Sequence, residues 1–310
     1  MDDTSKLVDQ TTRTRTEGTM NPSTRPSHTI SSSVERPTTG YRRVIAPIDP
    51  DHAEHRALTT AIDFARRARV PLTITAVGTR LHDAERHLAT TLASNNDLDI
   101  EIKVLPRGTG IGPAGTLCDY VDAQPGSLVC MTTHATGGVR ETLLHPTSSD
   151  VLAKVRRPVV LVGPAHRTSP RWNEIAVFVD GSNASEPEAQ FATSLALSLE
   201  LPLTFLRVLP PRYTAGDADI TEDADLRHYA ATAIRSGHHV TWDTLHHRSP
   251  ARGILDWLSH RSSILTVLGA HSHPGVSHLR SPSVTANIAH HAAGPVLVVP
   301  ADTSLSDGDQ

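Results

Sequence analysis

Two aspartates end short apolar runs in this sequence, Asp49 in Ile48-Asp49 and Asp180 in Val179-Asp180-Gly181-Ser182. Two further runs lead into loops that begin Thr132-Thr133-His134 and Gly269-Ala270-His271, and later helix starts fall near Pro146 to Ser149 and Ser281 to Val284. If the runs are parallel strands, all three features gather at the strands' carboxyl ends, where open α/β sheets hold their ligands. The residue types suit binding better than bond making. No Ser-His-Asp or Cys-His arrangement stands out and no nucleophile-elbow sequence is present, so no general base with a partnered nucleophile can be assigned and no catalytic residue is expected.

Two other patterns are weighed against this reading. Gly110-Ile111-Gly112-Pro113-Ala114-Gly115 has the form of a dinucleotide fingerprint. It follows the third apolar run instead of the first, and no acid ends the next run to take a ribose, so a turn before a helix is expected. The chain also has 19 histidines, several as adjacent pairs: His238-His239, His246-His247 and His290-His291. Neighbouring side chains diverge, and no cysteine or carboxylate cluster completes a ligand set, so no metal is expected. His271 and His278, beside the strand-four loop of the second half, could hold an anion when protonated.

The elements that must position these residues are legible as alternation. Apolar runs at Val44 to Ile48, Leu72 to Val77, Ile100 to Leu105, Leu128 to Met131 and Val159 to Val162 are followed by a second set. That set is Ile175 to Val179, Leu203 to Val208, Val240 to Leu245, Ile264 to Leu268 and Val296 to Val299. Such continuous runs suit parallel strands covered on both faces. Between them Leu58, Ile62 and Ala65 share a helical stripe, as do Phe191, Leu195 and Leu199, and Ser185 with Glu188 has capping-box spacing. An α/β fold with right-handed crossovers follows.

The two sets are copies. Ile48-Asp49 matches Val179-Asp180 and Pro71-Leu72-Thr73 matches Pro202-Leu203-Thr204 at an offset of 131. Pro113-Ala114 matches Pro250-Ala251, His134 matches His271 and Pro158-Val159 matches Pro295-Val296 at 137, which puts six extra residues between the second and third strands of the second copy. The expected organisation is a Ser/Thr-rich disordered tail over 1–40, a domain over 41–164, a linker over 165–171 marked by Pro170, a second domain over 172–301 and a tail over 302–310. The inserted stretch Leu209 to Ala218 is a natural place for specificity.

Composition narrows the class. A net charge of -4 over 310 residues argues against a general nucleic-acid partner, and aromatics at 4% mean aliphatic cores. No stretch nears the roughly 18 uncharged apolar residues of a membrane span and the start has no signal core, so a cytoplasmic protein without membrane contact is expected. Cys118 and Cys130, the two cysteines, read as reduced packing residues.

Val179-Asp180-Gly181-Ser182-x-x-Ser185, the strand-four loop and the closing Gly294-Pro295-Val296-Leu297-Val298-Val299 resemble the universal stress protein family, twice in tandem over about residues 41 to 301. The resemblance implies two Rossmann-like (adenine nucleotide alpha-hydrolase-like) domains, each a five-stranded parallel sheet of order 3-2-1-4-5 flanked by helices. It also implies that the fifth strands pair edge to edge, here within one chain as an intramolecular pseudo-dimer, with further homodimerisation open. Nucleotide-binding members carry Gly-x2-Gly-x9-Gly-Ser/Thr after strand four, whose backbone N–H groups and hydroxyl meet phosphates. In the first domain those positions are Thr132, Ala135, His145 and Pro146, so its motif is degenerate; in the second they are Gly269, Ser272, Pro282 and Ser283, so it is partly retained.

The resemblance therefore places ATP or another adenine nucleotide in the second domain only, against Asp180, Gly181, Val208, Gly269, Ser272, Ser283 and Val284, with Asp180 at the adenine or ribose. It implies a non-enzymatic stress-response protein acting through a protein partner of unknown identity. The alternative is an ATP-binding switch or weak ATPase seated between Asp180, Gly269 and Ser283.

Overall fold

A computed structural model describes residues 40–48, 56–78, 81–108, 110–133, 146–167, 172–181, 185–211, 224–261, 263–270 and 282–300. The tails over 1–39 and 301–310, and most of the Leu209 to Ala218 stretch, lie outside the described residues. The first half runs β1 (Arg43–Pro47), α1 (Arg56–Ala68), β2 (Leu72–Val77), α2 (Leu81–Ser94), β3 (Ile100–Leu105), α3 (Pro113–Asp122), β4 (Ser127–Thr132), α4 (Pro146–Lys154) and β5 (Val159–Val162). The second runs β6 (Glu174–Phe178), α5 (Glu186–Leu199), β7 (Leu203–Leu209), α6 (Ala224–Arg235), β8 (Val240–His246), α7 (Pro250–Leu258), β9 (Ile264–Ala270), α8 (Pro282–His291) and β10 (Val296–Pro300).

Among the described residues the ten strands form one sheet, in the order β3-β2-β1-β4-β5-β10-β9-β6-β7-β8. Each half keeps the expected 3-2-1-4-5 order with parallel neighbours. The halves meet through β5 and β10, which pair antiparallel with Val296 opposite Leu161, Leu297 opposite Val160 and Val298 opposite Val159. All six of these residues are buried. Pairing satisfies backbone groups that would otherwise line two exposed edges.

Strand alternation sends residues to two cores, and each core crosses the seam between the halves. Val44, Leu72, Leu128, Val160, Val177, Phe205 and Leu297 face α1, α2, α5 and α6. Ile45, Val129, Leu161, Phe178, Leu206, Leu268 and Val298 face α3, α4, α7 and α8. Trp172, ahead of β6, lies on the α1 ring of Phe64 with centroids 4.3 Å apart, and the Arg67 guanidinium sits 4.9 Å above the indole. At Gly163, just past β5, a Cβ would collide with the Ala289 carbonyl of α8. Only glycine lets these backbones touch.

The duplication extends to fine detail. Both α1 and α5 are followed by a left-handed residue that is not glycine, Arg69 at φ 56° and Glu200 at φ 54°. In both, the next N–H reaches back into the helix, Val70 to Ala65 O and Leu201 to Ala196 O, each at 3.0 Å. The register also corrects the placement of the length difference. β7 and β8 start 37 residues apart against 28 for β2 and β3, a gain of nine, whereas β8 and α7 start 10 apart against 13 for β3 and α3, a loss of three. The net six expected from sequence is therefore split across two loops.

The capping box does not form. Ser185 adopts a helical backbone conformation with no side-chain cap bond, and its hydroxyl is used elsewhere, as described below. Glu188, the other member of the expected box, is buried at 1% exposure.

Two outcomes follow for stability. Because Trp172 joins the cores of both halves, Trp172→Ala should cost about 3–5 kcal/mol in urea denaturation, and both halves should lose structure in one transition. Burial holds the pKa values of His166 and His238 below the usual 6.5. At pH values above 6.5 neither state protonates them. As pH falls from about 6.5 towards 5, the unfolded chain takes up protons that the folded chain refuses, so stability should drop over that window. Melting curves across it should be flatter for His166→Gln than for the parent chain.

Candidate functional site

The strand register gathers the second-half residues. Phe178 is opposite Leu206 of β7 and Leu268 of β9. Two residues further along each chain come Asp180, Val208 and Ala270, with Gly269 one step behind. Asp180 and Gly181 follow the carboxyl end of β6, between the ends of its two neighbours. Val284 lies in the first turn of α8, half-buried, and packs against the core on that side. Ser283 is in the same turn, but its side chain lies outside the described residues, as does the whole of Ser272. The loop containing Asp49, and His134, Ala135, His145, His271, His273 and His278, are likewise outside them.

Local contacts shape the Asp180 loop. The Ser185 hydroxyl donates to Asp180 Oδ1 at 2.9 Å, while the Asp180 N–H reaches Ser185 Oγ at 3.3 Å. This reciprocal pair closes the turn between β6 and α5 and fixes the carboxylate. Gly181 has φ +77°, and a Cβ there would meet the Arg207 guanidinium at 2.5 Å. Arg207 is mostly buried and pairs with Asp225 of α6, Nη1 to Oδ2 3.4 Å. It thus braces the loop from the face of the sheet opposite Val208, whose side chain packs in the α7 and α8 core, where a Cβ at Gly253 would lie 2.9 Å from it.

Sequence reading missed Arg207, although a signal was present. It is the one charge within the apolar run Leu203-Thr204-Phe205-Leu206-Arg207-Val208, and a charge in such a strand needs a specific partner. Four carboxylates surround Tyr229 nearby. Burial first, then Glu186, Asp225, Glu188 and Asp180, push its pKa up to about 12. Arg207 is the cation set among these acids.

The first half is built differently at the matching place. Thr132 ends β4, and the buried Ser148 hydroxyl, in the first turn of α4, donates to the Thr132 carbonyl at 2.8 Å. The helix begins with Pro146, which has no N–H to offer. The Ser148 hydroxyl and the Thr132 carbonyl are thereby tied to each other.

The other sequence candidates resolve into structure. In the glycine-rich loop before α3, the Ile111 side chain folds across Gly115, where a Cβ would collide with it, and the Gly108 N–H reaches Thr116 Oγ1 at 3.4 Å. An isoleucine thus covers the helix start. Among the described residues no group of three or more His, Cys, Asp and Glu could hold a metal. His247 turns back onto its own loop, accepting from the Ser249 N–H at 2.9 Å. Cys118 and Cys130 are free and buried, and burial, assisted by Asp122 and Asp63 respectively, raises both thiol pKa values.

Comparison with known proteins agrees with this architecture. The model of the universal stress protein family matches residues 40–163 and again 172–300. The chain belongs to the universal stress protein family, as a tandem of two such domains. Among solved structures, it is similar to a putative universal stress protein from Pseudomonas aeruginosa UCBPP-PA14 at 15% identity and TM-score 0.60, covering 85% of this chain and 94% of that one. A universal stress protein from Archaeoglobus fulgidus DSM 4304 aligns at 14% identity and TM-score 0.59, covering 84% and 99%. The cytoplasmic domain of a prokaryotic cation chloride cotransporter aligns at 13% identity and TM-score 0.52, covering 86% and 99%. At these identities the likeness is one of fold. Among curated proteins none matches.

The Gly181 geometry has a measurable consequence. Gly181→Ala should cost about 1–2 kcal/mol from the left-handed backbone alone, plus the displacement of the Arg207 guanidinium. In an Arg207→Met background the second part should vanish, so a double-mutant cycle by urea denaturation should give a non-zero coupling energy.

Proposed function

We propose that this chain is a non-catalytic stress-response protein that works through a protein partner, and that its second domain senses ATP or another adenine nucleotide. The observation that carries the reading is the contrast between the two domains. In the second, Asp180 is fixed by Ser185 at the end of β6, beside Gly269; in the first, Ser148 and the Thr132 carbonyl are bonded to each other. In this proposal Asp180 meets the adenine or ribose, and Gly181 and Val208 flank it. Backbone groups at Gly269 and Ser272, with Ser283 and Val284 at the α8 N-terminus, face the phosphates.

The domains are proposed to span 41–164 and 172–301, with 165–171 as linker and 1–40 and 302–310 as tails. A cytoplasmic location and further homodimerisation belong to the same proposal. Among the described residues no helix is long and apolar enough to cross a membrane. Turnover is not part of the proposal. The described thiols are held in their protonated form by burial, and the His247 ring nitrogens face Ser249 of its own loop, at Nδ1, and Asp256 of α7, 3.8 Å from Nε2.

Calorimetric titration of the full chain with ATP and magnesium tests the proposal. One nucleotide should bind per chain, Asp180→Ala should weaken it at least tenfold, and Ser148→Ala should leave it unchanged. ATP hydrolysis should stay at the background rate. Two equal sites, no binding at millimolar ATP, or an unaffected Asp180→Ala variant would overturn the nucleotide assignment, and hydrolysis lost in Ser283→Ala would favour the weak ATPase instead.

A further inference from the structure

Where the two halves join, the chain leaving β5 passes the carboxyl ends of α7 and α8. Its backbone is fixed there: the Arg167 N–H donates to Ala293 O at 2.9 Å and the His166 N–H to Gly163 O at 3.2 Å. Between this segment and the helix ends lies a cleft of about 420 Å³. Leu255, Leu258 and Ala292 give it an apolar floor, and Arg167, His260 and His291 stand at its rim. Among the described residues no carboxylate lines it. A cavity of this size, with an apolar floor and a polar rim, can take a small molecule.

Helix carboxyl ends normally carry partial negative charge, which would oppose an anion. Several carbonyls of these two ends are already engaged. Leu258 O accepts from the Arg261 N–H at 2.9 Å and Ile288 O from the Ala292 N–H at 2.8 Å, while Asp256 O takes both the Ser259 N–H and its hydroxyl. The one acid of α7, Asp256, has its carboxylate 3.8 Å from His247 Nε2, and α8 has no acid. His291 Nδ1 is 2.9 Å from the Asn287 carbonyl, to which it donates, and this bond fixes the ring at the edge of the cleft.

The duplication supplies a control within the molecule. At the repeat offset of 137, the first domain has Asp122, Ala123 and Lys154 where the second has Ser259, His260 and His291. There an acid accompanies the cation, so the related surface is balanced. Among the described residues, the lining with a cation and no acid belongs to the junction, and that cation, Arg167, is a linker residue that only a tandem chain provides.

We propose that this cleft binds a small organic anion, an apolar body bearing one carboxylate, sulfonate or phosphate group. The Arg167 guanidinium pairs with the anionic group through two parallel N–H bonds, His260 and His291 add further polar contacts, and Leu255 and Leu258 pack on the body. The site is separate from the nucleotide site proposed above and does not depend on it.

The fluorescent probe anilinonaphthalene sulfonate and its uncharged counterpart N-phenylnaphthylamine test this on the full folded chain. One sulfonate probe should bind per chain, with Arg167→Gln raising its Kd at least tenfold and His291→Gln raising it less. Lys154→Gln, at the related surface, should change nothing, and the uncharged probe should bind weakly and equally to all variants. Sulfonate binding that is unchanged in Arg167→Gln, or matched by the uncharged probe, would overturn the proposal. Should Arg167→Gln disturb folding, Ala165→Trp fills the cleft from the exposed linker; it should abolish binding, and retained binding would overturn the proposal equally.

Discussion

The antiparallel pairing of β5 with β10 is the interaction on which the rest of this molecule rests. Each half alone would end in a short, fully apolar strand with one row of backbone N–H and C=O groups unpaired, a template for uncontrolled association. Joining the two fifth strands within one chain satisfies both rows at once and lets each layer of helices cover a core that runs unbroken across the seam. Trp172 on Phe64 and the close approach of Gly163 to Ala289 belong to the same junction. The linker cleft is a by-product of it, since the chain must leave β5 beside the carboxyl ends of α7 and α8.

Duplication started from one site repeated, and the two copies have diverged by different physical routes. In the first domain the Ser148 hydroxyl is bonded to the Thr132 carbonyl. The second kept the turn chemistry, with Ser185 holding Asp180 and Gly181 supplying a left-handed backbone. It also acquired a buried cation. Arg207 lies between the Gly181 loop and Asp225, with its guanidinium paired to the Asp225 carboxylate. Loop position, helix α6 and local charge are therefore linked through one side chain.

Much of this was legible in the sequence because the signals were local and repeated. Continuous apolar runs bounded by turns fixed the strands to within two residues, and the offsets of 131 and 137 revealed the tandem before any coordinates. Asp180 and Gly269 could be set at strand ends for the same reason. Ser185 and Glu188 show the limit of such reading. Their spacing fits a capping box, yet the hydroxyl goes to a side chain five residues back and the carboxylate is buried, choices decided by packing that spacing cannot encode.

By itself the sequence determined the fold class, the duplication, the strand positions and the difference between the two strand-four loops, because periodicity, turn residues and motif spacing act over a few neighbouring residues. Only the tertiary structure decided that nine residues were gained in one loop and three lost in another, that Arg207 braces Gly181, and that Arg167, His260 and His291 share one cleft. Those facts depend on strand register and on which helix ends face each other across the seam. Residues up to 128 positions apart in the chain, Ala165 and Ala293, meet there, and no local signal records that meeting.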